Sequence, residues 1–145
     1  MRRSDYMCKA CDPKTLTVHQ IMEDAVVTAS PKTTGLTLAQ TLSERNFGSI
    51  PIVEEDRTLI GLVSEFDLLK AMDEGQDLRS VTAADLMTKG VVTATEDMTV
   101  PDVSKLLKTH SLIRVPVVKD GALVGILARR DIVYGYVKAT ATYWP

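Results

Sequence analysis

Ser64 and Asp67, in the stretch SEFD, stand three residues apart directly after the apolar run LIGLV. A hydroxyl and a carboxylate at that spacing, where a strand gives way to a helix, allow two chemistries. In the first they form a capping box. The Ser64 hydroxyl accepts a hydrogen bond from the N3 amide, and the Asp67 carboxylate reaches back to the N-cap amide. In the second the same geometry serves a ligand. A helix N-terminus presents amide hydrogens to a phosphate, and a carboxylate one turn in accepts hydrogen bonds from a ribose diol, as acidic residues do in dinucleotide-binding folds. Asp131, in ARRD, repeats the carboxylate with Ala128 in place of the serine. A first-turn Asp is favourable there through the helix dipole alone, so the residues themselves leave both readings open.

Other residues carry chemistry less specifically. Cys8 and Cys11 form a CxxC. A structural zinc site needs four ligands, and the chain has two thiols and two distant histidines, so a site with Cys8 and Cys11 from each of two chains is the form a metal would take. A reversible disulfide and two plain thiols in a leader are the alternatives. Arg129 and Arg130 open a helix, where cations oppose the dipole. That placement points to an anion or acidic partner, or to pairing with Asp131 or across a dimer contact. His110 reads as a structural residue at a helix end, and His19 as a surface residue. The sequence contains no Ser-His-Asp set at recognisable spacing, no P-loop and no nucleophile beside a base, so catalytic residues and catalytic cofactors are read as none and the chain as a non-enzyme.

The elements that position these groups occur twice. Ile21-Met22 matches Leu86-Met87, Val27-Thr28-Ala29 matches Val92-Thr93-Ala94, and Ile50-Pro51-Ile52-Val53 matches Val115-Pro116-Val117-Val118. Gly61 pairs with Gly125, and Asp67 with Asp131, at an offset one residue shorter. The first copy therefore holds one extra residue, which belongs in a hairpin turn. AVVTA and GVVTA read as strands. TLAQTLSERNFG reads as a helix with Leu38, Leu42 and Arg45 on one face, ending at Gly48. VPDVSKLLKTH reads as a helix with Thr99 before it, Pro101 in its first turn and Val103, Leu106 and Leu107 on one face. SIPIV and RVPVV are buried strands whose prolines belong at a strand start or on an edge. LIGLVS and LVGILA are their hairpin partners, and EFDLLKAM and RRDIVYGYV the closing helices. A copy of about sixty residues buries little apolar surface alone, which is a physical reason for the pair.

The composition, 45% hydrophobic and 25% charged, is that of an ordinary globular chain. A net charge of −2 gives no reason to expect nucleic acid as a partner. No apolar run approaches the roughly 20 residues of a membrane helix, and MRRSDYMCKACDPK has no apolar core of a secretory signal. The cytoplasm is the expected location, with no membrane partner and reduced thiols.

The succession V-T, then h-P-h-V, then G-h-h-S/A-x-x-D-h, given twice in order, resembles the tandem cystathionine-β-synthase (CBS) domain pair, or Bateman module, in stand-alone form. The resemblance covers residues 18 to 137. It implies an α+β fold, with two β-α-β-β-α repeats packed about a pseudo-two-fold axis. The expected division is a CxxC leader (1–17), repeat 1 (18–72), a polar linker (73–82), repeat 2 (83–138) and an aromatic tail (139–145) holding Tyr143 and Trp144.

In that family the pocket is composite: the Asp binds ribose hydroxyls, the Ser lies near the phosphate and the other repeat wedges the adenine. Carried over, one pocket takes Leu62, Ser64 and Asp67 with Met87, Lys89, Leu112, Ile113 and Arg114. The other takes Ile126, Ala128 and Asp131 with Met22, Asp24, Phe47, Gly48 and Ser49. The first pocket is favoured, because Ala128 removes a hydroxyl from the second and Asp24 opposes a phosphate there. The resemblance implies a regulatory module that binds an adenosine compound in the cleft between the repeats and signals to an unidentified protein partner. AMP or ATP comes first, then ADP, with S-adenosylmethionine or NAD sharing the ribose. It also implies a homodimer through the helices that follow each Asp. The rival readings are an interaction homodimer with empty pockets, docking through its aromatic tail and Cys leader, and a thiol- or zinc-linked switch.

Overall fold

The computed structural model describes residues 12–45 and 48–140. Cys8, Cys11, Phe47, Tyr143 and Trp144 lie outside the described residues, as do the readings that rest on them. In chain order, after a 3-10 turn at Pro13–Thr15, the elements are α1 (Val18–Ile21), α2 (Gly35–Arg45), β1 (Ser49–Val53), β2 (Leu59–Ser64), α3 (Glu65–Asp73), α4 (Ala83–Leu86), α5 (Val100–Thr109), β3 (Arg114–Lys119), β4 (Ala122–Ala128) and α6 (Arg129–Thr140). The fold is α+β. None of the described helices is long and apolar enough to cross a membrane.

The chain packs as two units. One is Val27–Val91. The other joins residues 12–26 to residues 92–140. In the first, β1 and β2 form an antiparallel hairpin in which Ile50 faces Val63 and Pro51 faces Leu62. Ile50, Ile52 and Val63 fill a core with Leu38 and Leu42 from α2 and Leu68 from α3. In the second, β3 and β4 pair in the same register, with Val115 opposite Leu127. Their core adds Val103 and Leu107 from α5, Val18 and Ile21 from α1, and Met22 at its C-cap. α2 ends at Arg45, before the Gly48 expected to close it, and Gly48 is not at positive φ, whereas α5 starts and stops where its sequence signals lie. Thr99 caps α5, its hydroxyl accepting from the Asp102 amide, Pro101 sits in the first turn and His110 is the C-cap.

The hairpin turns absorb the one-residue difference between copies. Asp120 and Gly121 have φ of 52° and 81°, as a two-residue type I′ turn requires. The first copy closes through Glu54 N to Thr58 O, with Arg57 alone at positive φ.

One expectation is corrected. AVVTA and GVVTA do not form strands. Each pairs at a single residue in parallel fashion, Ala29 with Ile52 and Ala94 with Val117. The proline explains this. Ala29 N donates to Pro51 O and Val53 N donates to Ala29 O. The next rung toward Val27 would need a hydrogen from Pro51 N, which has none. Pro116 stops the second copy in the same way, next to Ala94. The prolines lie inside β1 and β3 rather than at their starts, but on edge strands, the other placement expected for them. Each strand has one partner strand in a two-stranded sheet, so the missing N–H faces the side of the short bridge.

Sequence copy and packing unit do not coincide. The segment before each copy's AVVTA or GVVTA packs on the hairpin of the other copy. Leu62 N and O pair with Thr88 O and N at 3.1 and 2.8 Å, and Ile126 pairs with Glu23 at 2.9 Å both ways. The repeated glycine permits it. A Cβ on Gly61 would lie 2.5 Å from Met87 Sδ, and one on Gly125 would lie 2.6 Å from Met22 Sδ.

Candidate functional site

At Ser64 the chain passes from β2 into α3 with no loop between them. Ser64 keeps an extended conformation, φ −103° and ψ 166°, while Glu65 is already helical. The serine hydroxyl accepts from Asp67 N at 3.2 Å. Asp67 Oδ2 accepts from Ser64 N at 2.8 Å and from the Ser64 hydroxyl at 3.0 Å. The capping box is therefore formed, and all three bonds leave Asp67 Oδ1 outside it. Asp67 is half-buried, which leaves its carboxylate reachable.

The amides of this helix start are less open than the spacing alone suggests. Glu65 N donates to Gly48 O at 3.1 Å, and Asp67 N is used by Ser64. The tight strand-to-helix passage brings the carbonyl before β1 under the helix end, so the first turn keeps few amides for an anion.

The second junction is built alike with one group missing. Ala128 N donates to Asp131 Oδ2 at 2.8 Å, and Arg129 N donates to Ile113 O at 2.9 Å. Ala128 has no hydroxyl to return to the helix. Asp131 is 3% exposed, far more enclosed than Asp67.

Leu62, Ser64, Asp67, Met87 and Lys89 all belong to the Val27–Val91 unit, and the Leu62–Thr88 bridge sets Met87 and Lys89 alongside β2. Gly48 and Ser49 belong to the same unit, Ser49 opposite Ser64 in the hairpin. Ile126, Ala128, Asp131, Met22 and Asp24 belong to the other unit, where the Glu23–Ile126 bridge sets Met22 and Asp24 alongside β4. Leu112, Ile113 and Arg114 lie there too, Arg114 opposite Ala128. Each expected pocket thus draws on residues of both units. Lys89 and Asp24 are exposed, and Met22 is fully buried under β4. The part that sequence reasoning missed is the role of Gly61 and Gly125. Their recurrence before each Asp was the available signal.

His110 ends α5 through its backbone, donating to Leu106 O. His19 pairs through Nδ1 with Glu96 Oε2, tying α1 to the turn before α5. Among the described residues no three His, Cys, Asp or Glu side chains are grouped to hold a metal. The exposed carboxylates with a resolved shift are helix and turn caps. Hydrogen bonds from Thr82 hold Asp85 below the ordinary carboxylate value of 3.8, and Thr58 does the same for Asp56.

Comparison with known proteins agrees with the fold. The CBS domain family model matches twice, at residues 18–74 and 83–138. An uncharacterized protein of Methanopyrus kandleri is 35% identical over 131 residues, 88% of this chain and 67% of its own length. Some curated relatives are longer, and the chain spans 44% and 22% of two of them. Among solved structures, CBSX2 in complex with AMP aligns with 83% of this chain and 96% of its own, at 30% identity and a TM-score of 0.75. The CBS domain pair of protein MJ0100, in complex with 5′-methylthioadenosine and S-adenosyl-L-methionine, aligns with 84% of this chain and 96% of its own, at 29% identity and a TM-score of 0.73.

Proposed function

This chain belongs to the CBS domain family, and from that premise we propose that it is a regulatory module that binds an adenosine-containing ligand through Asp67 and passes the binding event to a protein partner. The observation that carries the reading is the pairing of two facts. Relatives at about 30% identity were crystallised with AMP or with S-adenosylmethionine and methylthioadenosine, and Asp67 keeps Oδ1 outside its cap.

The roles follow from the chemistry. Asp67 Oδ1 accepts from the ribose diol, and the Ser64 hydroxyl and Lys89 favour a phosphate. Leu62 and Met87 give the base an apolar wall. Leu112, Ile113 and Arg114 complete the contacts, Arg114 as a second cation for the phosphate. A weaker site takes Asp131, Ile126, Met22, Phe47, Gly48 and Ser49. It lacks the hydroxyl and has Asp24 near the phosphate. AMP and ATP head the candidates, with ADP, NAD and S-adenosylmethionine behind them.

The protein acts as a homodimer in the cytoplasm. Phe66, Leu69 and Met72 of α3, and Val133, Tyr136 and Val137 of α6, are each more than half exposed, and large apolar groups exposed on each of these helices favour a partner. A ligand signals only if it binds two states of that dimer with different affinity.

Calorimetric titration with AMP, ADP, ATP, NAD and S-adenosylmethionine tests the reading. One saturable adenosine ligand, lost in Asp67→Ala, is the expected result. No heat with any of them at millimolar concentration overturns it and leaves the interaction homodimer.

A further inference from the structure

A groove of about 370 Å³ lies where the 3-10 turn at Pro13–Thr15, the start of α5 and the end of α6 meet. Its apolar walls are Pro13, Val100, Pro101 and the Tyr136 ring. All of them belong to one packing unit. The walls are held from three sides. Asp12 caps the turn, accepting from Lys14 N at 3.0 Å. Val100 N donates to Leu16 O at 2.9 Å, which ties the start of α5 to the residue after the turn. Gly135 lets α6 lie close over the same segment: a Cβ there would stand 2.8 Å from Ile21 Cγ2 and 3.7 Å from Leu16 Cδ1. The groove therefore belongs to the folded unit, and Tyr136 is 58% exposed in it.

The chain carries an occupant that starts at the rim. Thr140 lines the groove, and the residues that follow it read ATYWP. They have no charged side chain and include Tyr143 and the only tryptophan, Trp144. Four residues span at most about 14 Å, so Trp144 stays within reach of walls that begin at Thr140. On helical spacing, positions 143 and 144 also share the face of Tyr136 and Thr140. The residues that precede Asp12 match the walls less well. MRRSDYMCKAC carries Arg2, Arg3, Asp5 and Lys9, and charge buried against proline and valine is costly.

We propose that this groove is the seat of the chain's own residues 141–145, with Trp144 as the anchor. The indole lies on Pro13, Val100 and Pro101 and beside the Tyr136 ring, an arrangement that removes apolar area from water and pairs two aromatics. Asp12 and Ser104, at the rim, give acceptors to the indole N–H and the Tyr143 hydroxyl. A seated segment withholds its aromatics from protein partners. It also closes the end of α6 on residues 12–26, the stretch that brings Glu23 to Ile126 of β4. The inference stands apart from the ligand reading.

Trp144 reports on its own seat, because the chain has no other tryptophan. In the full chain its fluorescence should be blue-shifted and poorly quenched by acrylamide. Ser104→Arg, which puts a long charged side chain into the groove, should move the emission to the red and raise the quenching constant several-fold. Tyr136→Ala, which removes an exposed wall without touching the core, should move both in the same direction. A solvent-exposed indole in the parent chain overturns the proposal. So does a protected indole that neither variant alters, since it then sits elsewhere. Seating within one chain does not depend on protein concentration, so the protection should persist on dilution. Protection that falls on dilution places the segment on a second copy and overturns the seat within one chain.

Discussion

Asp67 Oδ2 stands 2.8 Å from the amide nitrogen of Ser64, on the step where β2 becomes α3. The bond divides the carboxylate. One oxygen holds the helix start in place and the other lies outside the cap. The two readings of SEFD, cap and ligand contact, are therefore not rivals. The cap ties the carboxylate down through Oδ2 and leaves Oδ1 outside its three bonds, so a formed cap is compatible with a ligand contact.

The hydroxyl half of the cap can be tested by moving it between the repeats. Ser64→Ala should lower the unfolding free energy by about 1 kcal/mol, and Ala128→Ser should raise it by up to about 1 kcal/mol. Ala128 N already donates to Asp131, so only the serine hydroxyl is missing there. Urea denaturation of both variants reads the difference. Equal midpoints for Ser64→Ala and the parent would mean that the hydroxyl adds nothing to the fold.

The glycine–methionine contacts predict a coupling. Gly61→Ala should cost roughly 1–3 kcal/mol through overpacking. All three nearest atoms to the new methyl belong to the Met87 side chain. A second change, Met87→Ala, takes away Sδ and Cγ but keeps Cβ, 2.9 Å from the same point, so it should remove part of that cost, and a double-mutant cycle measures it. Gly125→Ala should be relieved only in part by Met22→Ala, because the backbone carbonyl of Glu23 lies 3.0 Å from the same point. Additive effects at positions 61 and 87 would contradict the packing.

Acid should weaken the start of α4. Thr82 N and the Thr82 hydroxyl both donate to Asp85 Oδ2 at 3.0 Å, and they hold its pKa below 3.8. A depressed carboxylate means that the unfolded chain binds the proton more readily. The contribution is complete above the ordinary value and is lost as pH falls through the folded one. Asp85→Asn should flatten the pH dependence of stability below about pH 4, as followed by denaturation at stepped pH. An unchanged slope would place the acid sensitivity elsewhere.

Much of this was legible in the sequence because it is local. The SxxD spacing, Thr99 before Pro101, and Asp120-Gly121 each specify a cap or turn within a few residues. The repeat itself showed where the carboxylates recur. The strands expected at AVVTA and GVVTA failed for a reason outside those segments: the missing hydrogens of Pro51 and Pro116 on the neighbouring strand. The pairing of Met87 with Gly61 and of Met22 with Gly125 was hidden for a similar reason. A pattern along the chain does not say which copy a preceding segment will cover. The expected pocket residues are described except for Phe47, and their roles follow from the family rather than from their spacing.

The most direct test of the central claim is a thermal-shift panel of AMP, ADP, ATP, NAD, S-adenosylmethionine and GTP, run on the parent chain beside Asp67→Ala. A ligand at about 100 times its dissociation constant adds about 2.7 kcal/mol of stability, a clear rise in Tm. The account predicts that rise for one adenosine compound, its absence with GTP, and its loss in Asp67→Ala. A flat panel, or a rise that survives Asp67→Ala unchanged, would contradict it.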